Sequence, residues 1–292
     1  MRTVCVTGAG GMTGSATVLR LLADGYHVVG ADIAPQPPDL PPRWSLPTFQ
    51  YVECDLTDYG DTVDLLGGVD SVVHLANIPA PGLRPPARTM NVNMAMNSNV
   101  FLAAAQLGLE RVVWASSETT LGLNFDDGNP PRYLPVDEAH SPYPTSTYAL
   151  SKVLAETAAR HVAAWSGIPF VGLRLSNVIR PEAYADFPKA WADPSQRQFN
   201  LWSYIDVRDA AGACSAALTA DVEGADELII ASPETTMPIP TRELVERHYP
   251  TVEVRRELGE HESLLSSSRA REVLGFTARH SWRDHVDAPA EP

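Results

Sequence analysis

Thr7-Gly8-Ala9-Gly10-Gly11-Met12-Thr13-Gly14 is the stretch on which the fold turns. Residues 3–7 before it read as a short apolar strand, and residues 12–24 after it carry a helical pattern. Glycines at 8, 11 and 14 give the spacing G-x-x-G-x-x-G. Gly8 permits a tight turn, Gly11 lets backbone approach a pyrophosphate, and Gly14 lets helix pack on strand. The free N–H groups of the helix N-terminus, beginning at Met12, then face the phosphates. Glycine spacing alone is weak, but a strand before it, a helix after it and an acid at a suitable distance sharpen it. That acid is Asp32, at the end of a second strand over 27–31. Its carboxylate can accept hydrogen bonds from a ribose diol and would repel a 2′-phosphate. Ile33 and Ala34 supply no compensating cation. The pattern therefore favours NAD over NADP.

Working outward, strands fit 51–53, 71–75, 111–115, 168–174 and 227–231, and helices fit 88–107, 146–166 and 207–219. Such alternation predicts an α/β, Rossmann-type doubly wound parallel sheet covered on both faces. Residues 1–175 are expected to form the NAD-binding domain, 176–204 and 233–282 a small substrate-binding lobe, and 205–232 a return to the main sheet. The tail after Trp282 reads as frayed. Proline-rich stretches at 34–48 and 78–86 read as loops. The second follows a strand, so it is either a border of the substrate site or a plain connector. Asp55, in Cys54-Asp55-Leu56-Thr57, follows the third strand. It can bond an adenine amino group or cap a helix starting near Thr57.

The net charge of −14 argues against nucleic acid or an anionic membrane as partner. Apolar residues make up 44% of the 292, enough for a sizeable core. No apolar run approaches a membrane span. The three cysteines, 5, 54 and 214, lack metal or disulfide spacing and suit a reduced cytoplasmic protein. The glycine-rich segment begins too early to leave room for a signal peptide, and the scattered histidines suggest no metal site.

Tyr148-Ala149-Leu150-Ser151-Lys152 places Tyr and Lys on one helix face, in a chain with only two lysines. A free phenol, with a pKa of about 10, is a poor base at neutral pH. A nearby ammonium lowers that value, and the same Lys152 can hold a ribose. Ser116 and Ser117 follow the strand 111–115, where a hydroxyl can bond a reacting oxygen. Asn91 fits either a water-ordering residue near Lys152 or a plain polar helix position.

These residues resemble the extended short-chain dehydrogenase/reductase family, also called the NAD-dependent epimerase/dehydratase family. The likeness covers about residues 1–210. It takes in the loop at 7–14, Asp32, Asp55-Leu56, His74-Leu75-Ala76, Asn91-Val92 and Asn97. It continues through Ala115-Ser116-Ser117, Gly122, Tyr148-x-x-x-Lys152, Arg174-x-x-Asn177-Val178 and Tyr204-Ile205-Asp206-Val207-x-Asp209. The resemblance implies that Ser117 is the catalytic serine, Tyr148 the general acid/base and Lys152 its tuner and ribose clamp. It places the cofactor against Gly8, Gly11, Met12, Gly14, Asp32, Asp55, Leu56, Leu75, Ala76, Tyr148 and Lys152. It also implies a homodimer built from helices 88–107 and 146–166, although a thick monomer core would leave the same apolar pattern.

Three departures narrow the substrate. Glu118-Thr119 stands where the family's dehydratases carry Asp-Glu, which argues against elimination of water. Only the stretch Pro181–Asn200 occupies the place of the epimerases' long nucleotide clamp, which argues against a nucleotide sugar. Arg180-Pro181 replaces the usual Gly-Pro. The compact C-terminal part and Ser116-Ser117-Glu118-Thr119-Thr120-Leu121-Gly122 look more like the uronate dehydrogenase branch. The expectation is a dehydrogenase of a small sugar or sugar acid; the alternative is a sugar or nucleotide-sugar epimerase. Ser117, Glu118, Arg174 and Asn177 are the substrate-contact candidates. Arg174 fits either a pairing with a substrate carboxylate or a structural ion pair.

Overall fold

The computed structural model describes residues 2–42, 45–122, 124–126 and 128–287. Strand β1 (Thr3–Thr7) sends Val4 and Val6 to one core and Cys5 to another, as the two-residue period of a strand buried on both faces dictates. The remaining strands, in chain order, are β2 (His27–Asp32), β3 (Phe49–Glu53), β4 (Ser71–His74), β5 (Arg111–Ser117), β6 (Tyr133–Leu134), β7 (Phe170–Leu175), β8 (Val178–Ile179), β9 (Ile205–Asp206), β10 (Ala225–Ile230) and β11 (Glu253–Val254). Seven of them form one parallel sheet in the order β10-β7-β5-β4-β1-β2-β3. The chain reverses its direction of growth between β1 and β4, and such a switch point opens a crevice at the carboxyl ends of the strands.

Helices cover both faces. On one side α1 (Met12–Ala23) packs against α5 (Val207–Ala217), burying Val18, Leu21, Ala210 and Ala213 over Val4, Val6 and Leu173. On the other lie α2 (Tyr59–Leu66), α3 (Pro86–Leu107) and α4 (Thr147–Ser166), whose Leu66, Phe101, Ala104, Ala155 and Ala159 share a core with Val72, Val112 and Trp114. The helix ends follow local chemistry. Pro86 occupies the first turn of α3 and left-handed Gly108 (φ 68°) closes it. Ser146 accepts from the Ala149 N–H at 3.1 Å to start α4, and Gly167 (φ 75°) ends it.

After β7 the chain departs from the strand–helix alternation of the main sheet. Two 3-10 segments, Pro181–Ala190 and Pro194–Asn200, lie between the short parallel pair β8 and β9. The helices α6 (Thr241–His248) and α7 (Ser268–Leu274) follow β10, and β11 pairs with β6. Two satellite cores hold this part together, one around Trp202, Leu244 and Leu265, the other around Tyr184, Phe187, Tyr204 and Trp282. Trp282 is fully buried and donates its indole N–H to the Thr235 carbonyl at 2.7 Å, so the chain is anchored at the point where fraying was expected to begin. Among the described residues no helix is long and apolar enough to cross a membrane. Cys5 and Cys214 are buried free thiols and Cys54 is a half-buried one.

Candidate functional site

The glycine loop sits at the switch point. A Cβ on Gly8 (φ 69°) would fall 2.7 Å from the Ala76 nitrogen, and one on Gly14 would fall 1.9 Å from the Gly8 carbonyl oxygen. Neither position tolerates a side chain, so loop backbone, helix and β4 end meet at contact distance. Asp32 faces the loop from the end of β2. One carboxylate oxygen accepts from the Gly10 N–H and the other from the Ala34 N–H, both at 3.0 Å. The crowding at Gly8 and Gly14, with a carboxylate beside the loop, leaves a backbone cradle that fits a dinucleotide's pyrophosphate and ribose.

Thr7 and His74 lock the far wall. The Thr7 hydroxyl accepts from the N–H groups of Leu75 and Ala76 at 3.2 and 3.3 Å and bonds His74 Nδ1 at 2.7 Å. His74 Nε2 meets Asn97 Oδ1, an acceptor only, at 3.0 Å, so Nε2 donates and Nδ1 accepts from Thr7. Burial, with the Lys152 charge adding to it, pushes His74 down to about 3 and keeps it neutral. Asp55 shapes the next turn, accepting from the Thr57 N–H and hydroxyl at 2.9 and 2.8 Å. The cap of α2 is Asp58, which accepts from the Asp61 N–H at 3.0 Å. Leu56 is buried in the core beneath, and Met12 is half-buried at the head of α1.

Ser117, Tyr148 and Lys152 converge on the end of β5. Ser117 begins the 3-10 turn Glu118–Leu121, its hydroxyl accepting from the Thr119 N–H at 3.2 Å. Tyr148 and Lys152 are both buried, on one face of α4. Lys152 Nζ donates to the Ala115 carbonyl at 2.6 Å and lies 5.7 Å from the centre of the Tyr148 ring. Burial pushes Tyr148 up to about 12; its hydrogen bond with Ser117 opposes this and the Glu118 charge reinforces it. The lowering of the phenol by its lysine that the sequence predicts is not among the effects acting on Tyr148 in the protein alone. Burial also pushes Lys152 down to about 7, against the pull of Glu156.

The other candidates separate. Asn91 is exposed. The inward asparagine of its triplet is Asn93, fully buried, which accepts from the Ile78 N–H at 2.8 Å and donates to the Ile78 carbonyl at 3.1 Å and to the Ser151 hydroxyl at 3.5 Å. Sequence spacing held the signal: Asn93, Asn97, Val100 and Ala104 form one helical stripe on α3, and Asn91 lies off it. Arg174 is paired with Glu156 of α4 through two bonds of 2.9 Å, with Ser116 donating to the same carboxylate at 2.6 Å. Its charge is answered inside the fold, on the face of β5 and β7 that carries Ser116. Glu118 is buried beside Ser117. It accepts from the Ser176 hydroxyl at 2.6 Å, the Asn200 amide at 3.4 Å and the backbone N–H of half-buried Asn177. Burial outweighs these bonds and pushes Glu118 up to about 7.

Comparison with known proteins gives this arrangement a family. An NAD-dependent glucose-6-phosphate dehydrogenase from Haloferax volcanii is 30% identical over 197 residues, 64% of this chain and 74% of that protein. A uronate dehydrogenase from Pseudomonas putida is 30% identical over 175 residues, and the match spans 59% of each chain. A UDP-glucose 4-epimerase from Thermotoga maritima, solved with UDP-glucose, superposes with a TM-score of 0.70 at 20% identity, over 96% of this chain and 94% of that one, and so shares the fold. The family model for the NAD dependent epimerase/dehydratase family matches residues 4–231. This chain belongs to that family, an NAD-dependent enzyme of the short-chain dehydrogenase/reductase type.

Proposed function

We propose that the chain oxidises a hydroxyl of a small sugar or sugar acid, with Ser117, Tyr148 and Lys152 as the catalytic residues. The observation that carries this reading is the Tyr148 phenol hydrogen-bonded to Ser117, with Lys152 beside its ring, at the sheet edge that holds the glycine loop. NAD, when bound, accepts the hydride. Ser117 holds the substrate hydroxyl and Tyr148 takes its proton. Lys152, anchored on the Ala115 carbonyl, stabilises the phenolate and clamps the ribose. Gly8, Gly11, Met12, Gly14, Asp32, Asp55, Leu56, Leu75 and Ala76 line the cofactor. Residues 176–204 and 233–282 serve as the substrate lobe, with Glu118 and Asn177 at its border. The pairing with Glu156 supports a structural role for Arg174, and the burial of Asn93 supports reading it, rather than exposed Asn91, as the inward asparagine of α3.

The test is NADH absorbance from the full chain with NAD and a panel of uronates, aldoses, sugar phosphates and sugar nucleotides, each mixture also assayed for changed sugars. Tyr148→Phe should lower turnover by about 100-fold or more while NAD still binds. Because burial raises the phenol, the oxidation rate should climb as pH rises above neutrality. A changed sugar without net NADH would replace this reading with an epimerase. The free thiols support a cytoplasmic home. The exposed Leu102 and Leu107 of α3 and Leu150 and Leu154 of α4 support a homodimer through those helices, which light scattering would test.

A further inference from the structure

Three consecutive residues at the end of β5 are each tied to a different turn of α4. Ser117 hydrogen-bonds the Tyr148 phenol, the Ala115 carbonyl takes the Lys152 ammonium at 2.6 Å, and the Ser116 hydroxyl donates to Glu156 at 2.6 Å. Residues 148, 152 and 156 are spaced by four, so the helix stacks them as one stripe. All three are buried, as are Ser116 and Ser117. Tyr148 and Lys152 have parts in the reaction. Glu156 has none so far, yet a carboxylate is costly to bury, and this one continues the catalytic stripe.

The two residues that hold Glu156, Ser116 and Arg174, face each other across β5 and β7. One carboxylate oxygen accepts from Ser116 and from Arg174 Nε, and the other accepts from a terminal nitrogen of the same guanidinium. A two-armed grip fixes direction as well as distance, so α4 cannot slide along the sheet without breaking it. Lys152 lies one turn away on the same helix. Among the described residues it forms no salt bridge, and its Nζ rests on a carbonyl. The charge that raises Lys152, against the burial that holds it at about 7, is Glu156. The other groups around the pair leave that charge standing. His74 of β4, which feels Lys152, is neutral, and so is the Tyr148 phenol. Arg174 feels three carboxylates at once, those of Glu156, of Glu227 on β10 and of Glu138 ahead of α4, and Arg160 pairs with Glu227. Two guanidinium groups among three acids leave the cluster negative.

We propose that Glu156 is a positioning residue for the reaction, acting through its neighbours on the stripe. Clamped to β5 by Ser116 and to β7 by Arg174, it sets α4 on the sheet so that Tyr148 meets Ser117 and Lys152 meets the Ala115 carbonyl, and it supplies the counter-charge of Lys152. The proposal rests on the dehydrogenase reading for what Tyr148 and Lys152 do. It gives the buried ion pair a second task besides holding the fold. An apolar pair of similar volume can fill the space between α4 and β7, and such replacements are often neutral for stability. They cannot keep an ammonium charged. The two tasks therefore come apart by experiment.

Lys152 and Lys189 are the only lysines in the chain. Lysine isotopically labelled at Cε therefore gives two NMR signals in the full chain, and Lys189→Arg assigns them. A pH titration then reads Lys152 directly, without any sugar. Glu156→Gln should lower the Lys152 midpoint by about one pH unit or more, and Glu156→Asp by less, because a carboxylate remains. The paired replacement Glu156→Leu with Arg174→Met should keep the midpoint low while urea unfolding returns toward the wild type. NADH formation from glucuronate, glucose 6-phosphate or glucose, at neutral pH and saturating NAD, should stay about fivefold or more below wild type in kcat in that pair, with KM little changed. That is the share of charged lysine that a shift of about one pH unit removes at neutrality. Circular dichroism establishes that each variant folds; if Glu156→Gln does not, Glu156→Asp and the pair carry the test. A Lys152 midpoint that stays in place in the folded variants, or turnover that recovers along with the stability of the pair, would overturn the proposal. A midpoint that follows Glu156 in a protein that oxidises no sugar would keep the counter-charge and sink the dehydrogenase reading. Sugar oxidation with a midpoint indifferent to Glu156 would do the reverse.

Discussion

A single methyl group interrogates the glycine loop. At Gly14 it would sit 1.9 Å from the Gly8 oxygen, a distance that only displacement of α1 or the loop can relieve. Gly14→Ala should therefore weaken NAD binding by about tenfold or more and cost about 1–3 kcal/mol of stability. Dinucleotide titration and urea unfolding check both. This role was legible beforehand because the constraint is local: a strand, a turn and a helix within a dozen residues. The fate of Arg174 was not, because its partner Glu156 lies on another element and meets it only once α4 packs on β7. That buried pair makes its own prediction. Arg174→Met should cost about 3–5 kcal/mol by stranding the Glu156 carboxylate, and adding Glu156→Leu should restore much of it. Denaturation midpoints of the three variants decide; a mild single-variant effect with a large loss of substrate affinity would return Arg174 to the substrate.

Elements were legible where their caps and periods were. Ser146 and Gly167 bracket α4, and Pro86 and Gly108 bracket α3, so the sequence placed both helices to within two residues. Phase within α3 was harder, since two asparagines one residue apart on either side of Val92 present the same chemistry to a reader of motifs. The stripe through Val100 and Ala104 decides in favour of Asn93, the residue that ties the loop at Ile78 to α4. Asn93→Ala should cost about 1–3 kcal/mol by leaving the Ile78 backbone groups unpaired, while Asn91→Ala should change stability by less than about 0.5 kcal/mol. The 3-10 segments of the lobe escaped sequence reading for another reason. Short turns carrying Pro181, Pro188 and Pro194 have neither the 3.6-residue nor the two-residue period that reveals helices and strands.

For the molecule as a whole, burial ties pH stability to His74, Glu118 and Lys152, the first two pulling in opposite directions. Unfolding returns His74 from about 3 to its ordinary 6.5, so the unfolded chain binds the extra proton and stability falls as pH drops through that interval. Glu118 is held at about 7 against an ordinary 4.5, so its contribution is present at low pH and is lost as pH rises through that interval. Between about 4.5 and 6.5 these two slopes oppose each other, and above about 7 Lys152, held at about 7 against an ordinary 10.5, adds stability as pH rises. Urea midpoints should therefore be nearly flat at mildly acidic pH, and Glu118→Gln should make them climb with pH there. A midpoint insensitive to Glu118 would mean that its carboxylate is already ionised in the fold.

Trp282 comes later in the chain than the aromatic residues of its cluster, Tyr184, Phe187, Trp191 and Tyr204, and than the Thr235 carbonyl it bonds. The glycine loop, Asp32 and the first five strands, by contrast, are contiguous and precede all of them. A ribosome therefore delivers the nucleotide-binding half long before the aromatic keystone of the other half emerges. In the nascent chain the cluster of Tyr184, Phe187 and Tyr204 stays open after the glycine loop and the first five strands have emerged, until one indole arrives.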